Sequence, residues 1–553
     1  MSLPRHMPSI EPDPVLLAIF EQAERIPLAV RRQAEFFIFF ARTVFPLLEA
    51  YRDKLQPLYC ANNGRPAWDP VRLLGVLVLQ FVLRLTDRLA AEAVQYDQRW
   101  RLALHLGARE AAFDPSLLVV FRDRLVDNAK EGLAFTAVLD YLVAQGWVPK
   151  RSRQRLDSTH VRGLLSAMNR LECARETIRL LLEDVEAGGI LPDAWAGYWE
   201  LYVESKLDPR AGKTALEAKS ARAGADMLSI WQDAAECRPI TSRDTFVLLQ
   251  RVFLENYELD AGGRAGKKYS QPTGSVHNPH EPEAQWSSKS TTKDKSWVGY
   301  KVQVAETVQE QPRAACEPTA NFLTAVVTQD ATASDKPGMA EVLAEQRTMG
   351  LDAPAALYAD GAYICSEALA EAREQGRELR GPAPASPDRG KVFTVEAFDV
   401  HVEERHAICP AQQRSTQCSH IDESRGRSYF RIEWNDAICA ICPQKADCVS
   451  ANQSHRTIVV GELHSILQDR RREMQTEAFK EEMRRRNGIE GTQSEMVRGY
   501  GMRQARYRGK AKVRLQNYLI GAACNIRRLF RRLAWAAIQA HNVESGAMSA
   551  VAG

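Results

Sequence analysis

Apolar positions recur at three- and four-residue intervals through the first 150 residues, and the rhythm changes after Arg155. Helical spacing is clear in Ala34-Glu35-Phe36-Phe37-Ile38-Phe39-Phe40-Ala41-Arg42 and over residues 70–80. Asp69-Pro70 supplies an N-cap followed by proline at the first helical position, and another helix is expected over 116–126, behind Phe113-Asp114-Pro115. Residues 155–161 read as a strand. A long charged helical stretch over 169–235 and a second over 242–259 follow, then a polar loop rich in Gly, Pro and His over 261–295, expected to be mobile. Strand patterns resume at 298–304, 322–328 and 355–359, with helices expected over 336–349 and 366–375 and a helical region over 463–540.

With the inserts set aside, three consecutive strands are followed by alternating helix and strand, which is the ribonuclease-H-like order. The expected class is α/β: a ribonuclease-H-like mixed sheet with a helical insert, an all-α N-terminal domain and a small Cys-containing insertion domain. The boundaries are 1–150 for the helical domain, expected to bind DNA ends, and 151–379 for the first part of the catalytic core, with its insert at 165–260. The Cys insert follows at 380–455, then 456–540 for the rest of the core and 541–553 for a disordered tail. A chain of 553 residues is long enough for two to four such units.

The chemistry lies in three carboxylates. Asp157, in Leu156-Asp157-Ser158-Thr159-His160-Val161, and Asp360, in Leu357-Tyr358-Ala359-Asp360-Gly361-Ala362, each end a short apolar run. Glu490 lies in the basic segment Arg484-Arg485-Arg486-Asn487-Gly488-Ile489-Glu490-Gly491-Thr492. In the expected fold the first and fourth strands are neighbours, so Asp157 and Asp360 can meet. Two Asp and one Glu suit a two-metal site, because hard carboxylate oxygens hold Mg²⁺ while leaving room for water and phosphate. That points to an enzyme that cuts and joins DNA. Taken singly, an Asp before Ser-Thr is a common cap and Asp-Gly a common turn. His160 reads as a group behind the metal ligands or as an ordinary packed histidine.

Charge sharpens this reading. The chain is 26% charged with a net charge of only +3, yet residues 484–532 hold fourteen Lys/Arg against two acids, an excess suited to a phosphate backbone. Arg498, Arg503, Arg506, Arg508, Lys510, Lys512 and Arg514 are the expected DNA-binding residues. No run of 18 apolar residues is present, and the N-terminus lacks an apolar signal core, so a cytoplasmic, nucleoid-associated protein with reduced thiols is expected. Among its 11 Cys, Cys409, Cys439, Cys442 and Cys448 have the spacing of structural zinc ligands, with Cys418, His406 and His420 as substitutes for the fourth. Reduced cysteines packing a small insert are the alternative. Cys60, Cys173, Cys237, Cys316, Cys365 and Cys524 are scattered and carry no assigned role. Trp297, Trp100 and Trp147 could stack on an unpaired base, with core packing the plainer reading.

Several segments together resemble the DDE transposases of bacterial insertion sequences, most closely the eleven-eighty-two group. Gly64-Arg65-Pro66-Ala67-Trp68-Asp69-Pro70, Phe113-Asp114-Pro115-Ser116-Leu117 and Phe121-Arg122-Asp123-Arg124-Leu125 look like the helical N-terminal domain of that family. Asp157-Ser158-Thr159-His160-Val161, Gly299-Tyr300-Lys301 and Tyr358-Ala359-Asp360-Gly361-Ala362-Tyr363 resemble the first Asp motif, the second strand and the second Asp motif. Arg486 to Thr492, with Gly501 and Arg506-Tyr507-Arg508-Gly509, resembles the segment bearing the catalytic Glu. The chain departs from the family's Tyr-x2-Arg-x3-Glu-x6-Lys signature: Met483 stands at the Tyr position and Val497 at the Lys position, with Arg498 next along. Arg486 and Glu490, at i and i+4, are expected on one helix face. The resemblance implies catalytic Asp157, Asp360, Glu490 and Arg486. It also implies two Mg²⁺ ions (Mn²⁺ able to substitute), double-stranded DNA ends and target as partners, no membrane, and a homodimer in the DNA complex. The rival readings are a ribonuclease-H-like nuclease without strand transfer and a catalytically silent DNA-binding repressor.

Overall fold

The computed structural model describes residues 2–4, 11–21, 28–60, 63–107, 109–206, 212–288, 296–309, 317–385, 392–422 and 428–551. Cys316 and part of the polar loop, 289–295, lie outside them. The N-terminal part is helical as expected: α1 (Leu28–Phe39), α2 (Pro70–Leu83), α3 (Ser116–Asp127) and α4 (Leu133–Ala144) are its longer helices. Asp69 Oδ1 accepts the N–H groups of Val71 and Arg72, both at 3.0 Å, which starts α2 at the expected cap. The helix stops at Arg84, whose φ of 59° breaks the repeat.

The central sheet contains β1 (Arg153–Arg162), β2 (Gln285–Ser288), β3 (Ser296–Thr307), β4 (Leu323–Asp330), β5 (Ala356–Tyr358) and β6 (Glu378–Arg380). β3 runs antiparallel between β1 and β4, while β5 and β6 run parallel beyond β1, giving the lateral order β4-β3-β1-β5-β6. This is the ribonuclease-H-like order, with β2 added beside the start of β3. Gly299 allows the β3–β1 approach, since a Cβ there would lie 2.1 Å from Val161 O.

Two inserts and the flanking helices complete the chain. Between β1 and β2 lie α5 (Arg170–Ala187), α6 (Lys213–Ala234) and α7 (Asp244–Asn256), with their own hydrophobic core. The single helical stretch expected over 169–235 is therefore two helices, broken after Gly188-Gly189, where Gly189 has φ 65°. The polar loop holds β2 and one strand of a short hairpin, Ala265–Lys267. α8 (Asp335–Thr348) and α9 (Ser366–Glu374) cover one face of the sheet.

After β6 comes the small insert, with β7 (Asp399–His401), β8 (His406–Ile408), β9 (Gln417–Asp422), β10 (Ser428–Glu433) and β11 (Thr457–Gly461). The chain ends with α10 (His464–Met474), α11 (Gly488–Tyr500) and α12 (Lys510–Val551); the last runs over most of the segment expected as a disordered tail. Leu515, Leu519, Ile520 and Ile526 of α12 share one hydrophobic core with Phe36 and Phe40, with Leu73 and Leu77 of α2, and with Tyr300, Val302 and Val304 of β3. The N-terminal helices are thus bound to the sheet through α12.

Candidate active site

Parallel pairing of β1 with β5 brings Asp157 and Asp360, two hundred residues apart, side by side at neighbouring strands. Asp157 lies in β1 and Asp360 two residues beyond β5, at the cap of a short turn. In each, Oδ1 is held by a backbone N–H: Ser158 N donates to Asp157 at 2.7 Å and Ala362 N to Asp360 at 2.9 Å. The Oδ2 atoms face one guanidinium, with Arg486 Nη2 at 3.5 Å from Asp157 and 3.9 Å from Asp360. The side chains of Asp157 and Arg486 are 15% and 19% exposed, and that of Asp360 is 39% exposed, so the cluster opens to solvent on the Asp360 side.

Arg486 reaches the pair from a 3₁₀ turn, Arg484–Asn487, rather than from the helix that carries Glu490. That differs from the shared-face expectation and follows from the tightening of the chain before α11. Glu490 is exposed on the first turn of α11. Gln493, three residues on, donates from Nε2 to Ser158 O at 3.3 Å, so this helix runs beside Asp157. Among the described residues, Asp157, Asp360 and Glu490 do not form a group whose ligand atoms all lie within 4.8 Å of one another.

A third aspartate stands behind the pair. Asp335 accepts from Lys301 Nζ at 2.7 Å and Gln303 Nε2 at 3.1 Å. Burial alone would raise its carboxyl, but these donors hold it below the usual aspartate range. Tyr363 donates to Gln303 Oε1. Burial first, then the charges of Asp335, Asp157 and Asp360, push the Tyr363 hydroxyl well above its ordinary value. Sequence reasoning missed Asp335, Gln303 and Tyr363. The available signals were Lys301, in the motif that marks the second strand, and Tyr363 itself, which ends the second Asp motif.

A family model described as a transposase DDE domain matches residues 408–530, and one described as transposase domain (DUF772) matches residues 30–124. The first takes in Arg486 and Glu490; the second covers much of the helical N-terminal part. Both matches support a DDE transposase of an insertion sequence. No curated protein matches the transposase.

Five of the seven basic residues expected on DNA make contacts inside the transposase. Arg503 donates to Thr159 Oγ1 and His160 O at 3.2 and 2.8 Å, fastening the loop before α12 to β1. Arg506 donates to Leu85 O at 3.0 Å, with its guanidinium carbon 4.7 Å above the Phe81 ring. Lys510 pairs with Asp330 at 2.9 Å, Lys512 with Asp123 at 2.5 Å, and Arg514 with Glu131. Arg498 and Arg508 are exposed. Trp297 is buried with its ring 4.9 Å from that of His160, and Trp100 is buried in the core. No helix among the described residues is long and apolar enough to cross a membrane.

In the small insert, Cys409, Cys439, Cys442 and Cys448 line one cavity of about 20 Å³. Cys418, His406 and His420 do not line it. His406 instead stacks on His401, ring centroids 4.7 Å apart, and these two with Glu404 bring ligand atoms within 4.8 Å of one another.

Proposed function

We propose that the transposase cleaves DNA at its element's terminal inverted repeats and joins the freed 3′ ends to target DNA. The observation that carries this reading is the convergence of the Asp157 and Asp360 Oδ2 atoms on Arg486. Arg486 already stands between these like charges, and hard carboxylate oxygens open to solvent on the Asp360 side would suit Mg²⁺ or Mn²⁺. Asp157, Asp360 and Glu490 are the residues that would hold two such ions. When bound, the ions supply activation of the attacking oxygen and neutralisation of charge on the leaving one.

The remaining work falls to the chain. Backbone N–H groups of Ser158 and Ala362 fix one oxygen of each aspartate, so the other is presented to the site. Arg486 keeps the two carboxylates together and adds positive charge where phosphate charge builds. In cleavage, a water oxygen bonds to phosphorus, the bond from phosphorus to the 3′ oxygen breaks, and that oxygen gains a proton. In joining, the resulting 3′ hydroxyl loses its proton and bonds to a target phosphorus, whose own bond to a 3′ oxygen breaks, and that leaving oxygen gains a proton. Double-stranded DNA tracks along the exposed Arg498 and Arg508, and a homodimer holds the two ends, within the bacterial cytoplasm. The zinc expected on the insert's cysteines belongs to a separate site with no part in these steps.

The test is Mg²⁺-dependent nicking of a labelled duplex carrying the terminal repeat, with Asp157→Ala, Asp360→Ala and Glu490→Ala alongside the wild type. Loss of nicking with end binding retained supports the reading. Nicking without joining of a pre-cut end leaves a nuclease instead. End binding with no nicking by the wild type leaves a silent binding protein.

A further inference from the structure

We infer that Cys409, Cys439, Cys442 and Cys448 bind one zinc ion that holds the small insert together. Three separate segments bring these residues to one place. Cys409 directly follows β8, Cys439 and Cys442 flank the end of a one-turn helix (Asp436–Ala440), and Cys448 ends the turn Lys445–Cys448. Sequence spacing alone left the fourth ligand open among four residues; the cavity selects Cys409.

Several features suit an ion. About 20 Å³ would admit a single water, but thiols are weak hydrogen-bonding partners and leave a buried water poorly satisfied. Four thiolates around a divalent ion carry two net negative charges, and Lys445 and Arg456, which also border the cavity, offset them. Gln413 N–H donates to Cys409 Sγ at 3.4 Å, the kind of contact that orients a metal-bound sulfur. Among the described residues no three of these sulfurs lie within 4.8 Å of one another, so zinc–sulfur bonds of about 2.3 Å would draw them inward on binding. Each thiol gives its proton to solvent on binding.

The ion would staple a unit whose core is small and already counts Cys409, Cys439 and Cys448 among its buried residues. It would also steady what the insert touches. Arg472 of α10 pairs with Asp399 at 2.5 Å, and Gln468 donates to Phe398 O at 3.0 Å. The insert is thereby tied to α10, which is separated from the Arg486 turn by one short helix, Glu477–Met483. The competing site is His401, Glu404 and His406, which closes more tightly in the structure but offers nitrogen and carboxylate.

The experiment uses the full chain, both wild type and Asp157→Ala, so that it reads the insert whether or not the protein cuts DNA. Zinc is measured per chain, then replaced with Co²⁺ and the absorption spectrum recorded. About one zinc per chain is expected, with a thiolate-to-cobalt charge-transfer band that survives His401→Ala/His406→Ala and is lost in Cys439→Ser/Cys442→Ser. Should the cysteine variant fail to fold, chelation of the wild type gives the same answer: four thiols become reactive to a thiol reagent when zinc is withdrawn. A chain without zinc and without the band overturns the inference. So does bound Co²⁺ lacking the band and lost in the histidine variant, or a thiol count unchanged by chelation.

Discussion

Two clusters of opposite charges share one face of β1, and they are built to different ends. At Arg155, Glu306 is fully buried and both of its oxygens are paired: Arg155 Nε lies at 2.6 Å, Arg528 Nη1 at 2.7 Å, and the Thr492 hydroxyl at 2.8 Å from both oxygens, which share its one proton. Two residues along, Asp157 and Asp360 have one arginine between them, at 3.5 and 3.9 Å, and a solvent-facing side. The first cluster locks β1, β3, α11 and α12 together. The second opens to solvent on the Asp360 side, where a ligand can reach it. The same residue types therefore separate by how completely they are paired, with the closed network structural and the open one available for chemistry.

The sharpest way to break this contrast is to remove charge from the open cluster. Asp157→Asn and Asp360→Asn should each lower strand cutting at least about a thousandfold, equivalent to roughly 4 kcal/mol of barrier. Melting temperature should stay level or rise, because one carboxylate beside Arg486 is easier to hold than two. Single-turnover nicking and a thermal melt on the same preparations decide it; a large fall in melting temperature would place these aspartates with the structural network. The closed cluster should respond in the opposite sense. Glu306→Ala strands two buried guanidinium groups and should cost about 3–5 kcal/mol of stability, read as a lower denaturation midpoint. If that variant stays stable but no longer cuts, Glu306 belongs to the reaction.

The open cluster was legible in the sequence and the closed one was not, for a physical reason. Asp157 and Asp360 each end an apolar run, and the order of elements makes their strands neighbours, so local pattern and topology suffice. Glu306 owes its role to Arg528, 222 residues away on a helix whose packing no local pattern specifies. Its one trace was a charge inside the apolar run Val304-Ala305-Glu306-Thr307-Val308. The basic segment shows the same limit from the other side. Composition gave a phosphate-binding surface, but whether Arg506 faces DNA or the Phe81 ring depends on where α2 lies. Gly188-Gly189, by contrast, was a visible helix break that the charged pattern around it concealed.

A third carboxylate sharpens the comparison by having almost no cation. Glu345 on α8 is largely buried, accepts from Val326 N at 3.4 Å and sits beside Tyr518. Burial pushes it up to about 7, against an ordinary value of 4.5; the Val326 and Tyr518 donors and the charge of Arg514 oppose the rise without cancelling it. Between those two values the folded chain keeps a proton that the unfolded chain has released. Stability contributed here is therefore fully present below about pH 4.5, falls as pH rises through the window, and is gone above about 7. Glu345→Gln keeps an oxygen to accept from Val326 and removes the titration. Its gain over the wild type should be near zero at pH 4 and reach about 3 kcal/mol at pH 8. Denaturation midpoints of both proteins at the two pH values measure this. An equal difference at both would mean that Glu345 is ionised throughout, and that cations unlike those serving Glu306 are holding its charge.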